Sequence, residues 1–88
     1  MLMKETSITV LNYLKKHAGE NMTAADVAEA LDMKASSVNG IFTMVFQKND
    51  LGVRVPATIE LEDGSIKEVK FLALTDAGMN CTPELKAE

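Results

Sequence analysis

With 88 residues, 47% of them apolar, and a formal charge of −4, the chain can build one small core, because chains this short bury only about 60% of the surface their unfolded form exposes. The apolar share excludes intrinsic disorder, and no apolar run approaches the ~20 residues that cross a bilayer. A lone Cys81 and a lone His17 exclude an internal disulfide and a Cys/His metal cluster.

The opening "MLMKETS" lacks the long apolar stretch of a secretory signal, so a cytoplasmic protein with no membrane partner is expected. Neither a partnered nucleophile and base nor a glycine-rich phosphate cradle is present, so no enzymatic activity, cofactor or metal is expected. His17 reads as a polar residue near a helix end.

The first expected helix covers residues 7–18. Ile8, Leu11 and Leu14, joined by Val10, recur at the spacing that gives a helix one buried stripe. Thr6 or Ser7 can cap its start, and Gly19 in "HAGEN" supplies the left-handed stop. A second helix over 24–31 opens with "MTAADV": Thr23 as N-cap, Asp26 at the third helical position, and Met22 placed to staple onto Val27. Val27, Ala28 and Leu31 form its inner face, with Ala28 small enough for a close crossing by another helix.

The short "DMK" forces a corner with Met33 inward, and a third helix over 35–48 carries a stripe of Val38, Ile41, Phe42 and Val45. Its other side presents Ser36, Ser37, Asn39, Gly40, Thr43 and Gln47, all small or neutral polar. Met44, Phe46 and Met79 are expected as exposed apolar residues, with most of the six methionines filling core gaps.

After Asn49 the pattern alternates. "LGVRVPATIELEDGSIKEVKFLAL" reads as strands over 53–61 and 66–74, joined at Asp63-Gly64 by a two-residue turn. That register sets Leu61 opposite Ile66, Glu60 opposite Lys67 and Val55 opposite Leu72. One face then collects Val53, Val55, Ile59, Leu61, Ile66, Leu72 and Leu74, and the other carries Arg54, Thr58 and a Glu60–Lys67 pair. Pro56 marks an edge. In "LTDAG", Thr75 caps a short turn, and residues 79–88 form a polar, fraying tail.

A supporting helix, a helix, a tight corner and a second helix in phase make a three-helix helix-turn-helix core. The expected fold is therefore α+β, one domain over residues 1–88: that core followed by a C-terminal two-stranded β-hairpin wing. "TAADVAEALDMKASSVNGIF", the hairpin and the closing "LTDAG" resemble the winged helix-turn-helix domain of bacterial and archaeal transcription regulators, especially the MarR type. The resemblance spans about residues 6–78.

It implies a sequence-specific, double-stranded-DNA-binding regulator whose recognition helix, 35–47, enters the major groove. Ser36, Ser37, Asn39 and Thr43 would lie nearest the bases, and Thr23, Lys34 and Arg54 would meet phosphates. Lys34-Ala35 and Gly40 stand where such repressors often have Ser-Pro and a basic residue. Residues 33–49 hold Lys34 and Lys48 and no acid, so the reading face is mildly positive within an acidic chain.

A homodimer would double the contacts of one weakly charged helix. No long terminal helices of the kind that build the dimer in that family are expected within these 88 residues. The alternative is a winged-helix module that binds another protein through its acidic wing and methionine-rich surface, without DNA.

Overall fold

Residues 2–85 are described by a computed structural model, an α+β arrangement of helices and a two-stranded antiparallel hairpin. Strand β1 (Leu2–Met3) leads into α1 (Glu5–Lys16), α2 (Ala24–Leu31) and α3 (Ala35–Ile41). A π-helical segment, Phe42–Gln47, continues α3. Then come β2 (Gly52–Glu60), β3 (Ile66–Leu74), the short α4 (Asp76–Met79) and β4 (Glu84–Leu85).

Helix α1 starts two residues before the expected 7, with Lys4 as N-cap and no side-chain cap. Thr6 and Ser7 therefore lie inside it, and Ser7 is buried with Val10, Leu11 and Leu14. Glu5 in the first turn suits the positive end of the helix, which removes the need for a hydroxyl cap. Helix α2 has the reciprocal cap its sequence encodes. The Asp26 N–H donates to Thr23 Oγ1 at 3.2 Å, and the Thr23 N–H donates to Asp26 Oδ2 at 3.0 Å.

The corner after α2 closes through Asp32, left-handed at φ 54°. The Met33 N–H donates to Ala28 O at 2.8 Å and the Asp32 N–H to Glu29 O at 3.4 Å, the pair of bonds that satisfies the last carbonyls of a helix. Ala28 is buried beside Val27, and Met33 packs on the core from its rim.

The largest fully buried side chains include Phe42, Phe46, Leu11, Val27 and Val38. Phe46 was expected at the surface. It lies four residues after Phe42 and so shares its inner face, and the two rings meet edge to face with centroids 5.5 Å apart. The change to π-type bonding at Phe42 has no signature in residue spacing.

The hairpin differs most from its sequence reading. The Gly64 N–H donates to Leu61 O at 2.9 Å and the Leu61 N–H donates to Ser65 O at 2.8 Å, enclosing three loop residues rather than two. Gly64 alone in this turn has positive φ, at 86°, as in a type I turn closed by a left-handed glycine. Asp63 stays out of that region because its carboxylate accepts from the Ser65 hydroxyl at 2.6 Å and the Ser65 N–H at 2.9 Å. Those bonds, the hydroxyl's first, hold the Asp63 carboxyl below its ordinary pKa.

The extra loop residue shifts the register by one. Glu60 faces Ile66, Ile59 faces Lys67, Arg54 faces Leu72 and Gly52 faces Leu74. The expected Glu60–Lys67 pair and the single apolar face are both lost. Leu72 and Leu74 share a face with Arg54, and Val53, Val55, Ala57 and Ile59 share the other.

Gly52 seats this ribbon on the helices, since a Cβ there would stand 2.6 Å from Phe42 Cζ. The Leu72 N–H donates to Met22 O at 2.7 Å, joining β3 to the approach of α2. "LTDAG" then locks the end of the ribbon. Thr75 Oγ1 accepts from the Gly78 N–H at 3.1 Å and donates to Asp50 O at 2.6 Å.

The expected frayed tail is in part ordered, because β4 pairs parallel with β1, Leu2 opposite Glu84. The Lys15 ammonium donates to the Cys81 carbonyl nearby. Residues 86–88 of that tail lie outside the described residues.

Two glycines give opposite stability predictions. A Cβ at Gly78 would lie 2.0 Å from Leu51 O, so Gly78→Ala is expected to lose about 1–3 kcal/mol. Gly40 has nothing within 4 Å of a Cβ, so Gly40→Ala is expected to gain up to about 1 kcal/mol from helix propensity. Urea denaturation of both variants checks the pair.

Candidate nucleic-acid interface

The side of α3 turned from the core carries Ser36, Ser37, Asn39 and Gly40, followed by Thr43 and Gln47 in the π-helical segment. All are exposed. Lys34 is the exposed N-cap residue of α3. Thr23 is a half-buried cap at the start of α2, its side chain engaged with the Asp26 N–H. The structure thus separates Thr23 in role from the α3 residues.

Arg54 ties this face together. From β2 its Nε–H donates to Gln47 Oε1 at 3.1 Å, Nη1 to Asn39 Oδ1 at 2.9 Å, and Nη2 to Thr43 Oγ1 at 3.0 Å and Asn39 O at 3.3 Å. Its Cζ lies 5.1 Å from the Phe42 ring centroid, within the range where a guanidinium is attracted to an aromatic face. The resemblance implies that Arg54 meets phosphates. Its fork is laid along the helix, on the face of the hairpin it shares with Leu72 and Leu74.

All four acceptors are neutral. Among the described residues Arg54 forms no ion pair, the His17–Glu20 contact being the one recorded. A guanidinium solvated by amides and hydroxyls keeps its full charge, so a positive charge is held at the middle of the polar face. Lys34 precedes that face and Lys48 follows it, while the acids Glu60, Glu62 and Asp63 are exposed at the far tip of the hairpin.

Asn39 gives its carbonyl oxygen to Arg54, which orients the amide and leaves its NH2 free to donate. Gln47 was legible as an outward position, but its role as an acceptor for Arg54 depends on a contact seven residues along the chain. A Cβ at Gly40 would meet nothing within 4 Å, so no close contact requires a glycine there.

No three His, Cys, Asp or Glu side chains among the described residues are grouped to hold a metal ion. No described helix is long and apolar enough to cross a membrane. No family model matches the chain, and searches of curated proteins and of solved structures return no match.

If Arg54 and Asn39 act as a unit, the double variant will not show the sum of the single losses. Arg54→Ala and Asn39→Ala are expected to couple by about 0.5–1.5 kcal/mol in a denaturation cycle. Arg54→Lys is expected to recover little, because an ammonium lacks the planar fork.

Proposed function

We propose that this chain is a winged-helix protein of the MarR-like kind that binds double-stranded DNA sequence-specifically as a transcription regulator, with α3 and its π-helical continuation in the major groove. The observation that carries this reading is the uncompensated Arg54 charge fixed in the middle of an exposed Ser/Asn/Thr face. A polar helix with a central cation and no acid between residues 33 and 49 offers hydrogen-bonding groups to base edges and attraction to phosphates.

Asn39 is the base reader in this scheme. With Oδ1 held by Arg54, its free NH2 suits a base acceptor in the major groove such as a purine N7. Ser36, Ser37 and Thr43 contact bases or phosphates, Lys34 meets the backbone at the start of the helix, and Arg54 supports the reading helix from the side. The acidic hairpin tip points away from the duplex, since Glu60, Glu62 and Asp63 would be repelled by phosphates. Thr23 contributes by holding α2 in place.

One observation favours the second reading, a protein-binding module. Val53, Val55, Ile59 and Leu61 of the hairpin and Met44 of the π-helical segment are exposed apolar residues.

Selection from a randomised duplex pool followed by gel retention separates the two. DNA binding predicts an enriched sequence and an affinity that falls as salt rises. Lys34→Glu is expected to weaken retention for all sequences and lower the salt slope by about one. Asn39→Ala is expected to lose about 1 kcal/mol of discrimination at one base pair, the worth of a single hydrogen bond. A pool with no enriched duplex rejects the reading.

A further inference from the structure

The polar side of α3 does not use the hairpin's apolar face. Register puts Val53, Val55, Ala57 and Ile59 on the face away from Arg54, with Val69 and Phe71 opposite Ala57 and Val55. Val53 and Val55 are 46% and 45% exposed, and Ile59 39%. At the base this face runs into a groove of about 240 Å³ whose other wall includes Leu14, His17 and Glu20.

We propose that this face is the docking surface for a second copy of the same chain, the two hairpins packed face to face and antiparallel about a two-fold axis crossing at Ala57 and Val69. Such an axis maps each residue onto its counterpart at equal distance beyond the centre. Ile59 of one copy then covers Val55 of the other, and Lys67 covers Phe71. Small Ala57 stands at the crossing, where two sheets approach most closely.

The charges favour a second copy over an unrelated partner. Lys67 opposes Ile59 and so lies on the apolar face near the tip. Glu20 lines the groove at the base beside Val55 and Phe71, with its side chain 61% exposed. The two-fold brings Lys67 of each copy to the groove of the other, so one chain supplies both members of a complementary pair, twice.

Packing uses the face rather than the edge, because Pro56 and Lys70 blunt the strands. Two nine-residue strands give a face of about 30 by 10 Å. Even with the groove walls added this falls below the ~800 Å² per partner of a standard interface. The dimer is therefore weak and concentration-dependent. It stands independently of DNA binding, since α3 is not part of the interface.

Sedimentation over a concentration series, without nucleic acid, tests it. The unaltered protein is expected to pass from monomer to dimer. Val55→Glu is expected to hold it monomeric, with circular dichroism confirming that it is folded. Lys67→Glu alone and Glu20→Lys alone are each expected to weaken dimerisation roughly tenfold or more. An equimolar mixture of those two variants restores both opposite-charge contacts and regains dimer. Sedimentation as a monomer at every concentration overturns the proposal, as does a dimer indifferent to all three substitutions. Loss of the dimer in both single variants without recovery in the mixture overturns the two-fold pairing.

Discussion

The contact of Phe42 with the backbone at Gly52 decides where the hairpin leaves the helices. A side chain at Gly52 would occupy the space of the Phe42 ring, so the ribbon lies directly on the aromatic pair that fills the core. Close packing of this kind has no slack to absorb a shift, and every residue farther along β2 takes its orientation from it. Arg54, two residues on, is thereby delivered over the same ring and along the outer side of α3. The base of the ribbon is fastened a second time through Thr75 and Gly78.

The chain separates its charges along this frame. Glu60, Glu62 and Asp63 lie at the hairpin tip and Asp26, Glu29 and Asp32 along α2 and its corner, and the face between Lys34 and Lys48 is left with an arginine whose hydrogen-bond partners are all uncharged. Global charge is a poor guide to such a surface, because screening in ordinary salt confines the influence of exposed charges to about 10 Å. The hairpin turns the side with Arg54, Leu72 and Leu74 toward the helices and the side with Val53, Val55, Ala57 and Ile59 the other way, which separates the polar face of α3 from the exposed apolar face of the ribbon.

Much of the local structure was legible in the sequence because local rules govern it. Thr23 and Asp26 cap α2 as their three-residue spacing requires, and Thr75 caps α4 for the same reason. The third helix was legible as far as Val38, Ile41 and Phe42, and its outward residues could be named from helical spacing alone. The start of α1 is not marked by a hydroxyl cap, because Lys4 is the N-cap without a side-chain bond and Glu5 stands in the first turn. The parallel pairing of Leu2–Met3 with Glu84–Leu85 joins the two ends of the described chain, beyond the reach of any local pattern.

What the sequence by itself determined is the order and type of the elements and the identity of the side chains on the outer face of α3, since periodicity and capping act over a few residues. Tertiary structure decided the hairpin register and with it the direction of Arg54, because one extra loop residue, chosen by the bonds between Asp63 and Ser65, exchanges the two faces of a strand. It also decided that Phe46 is buried. The bonds from Arg54 to Asn39, Thr43 and Gln47 exist only once both segments rest on the same core.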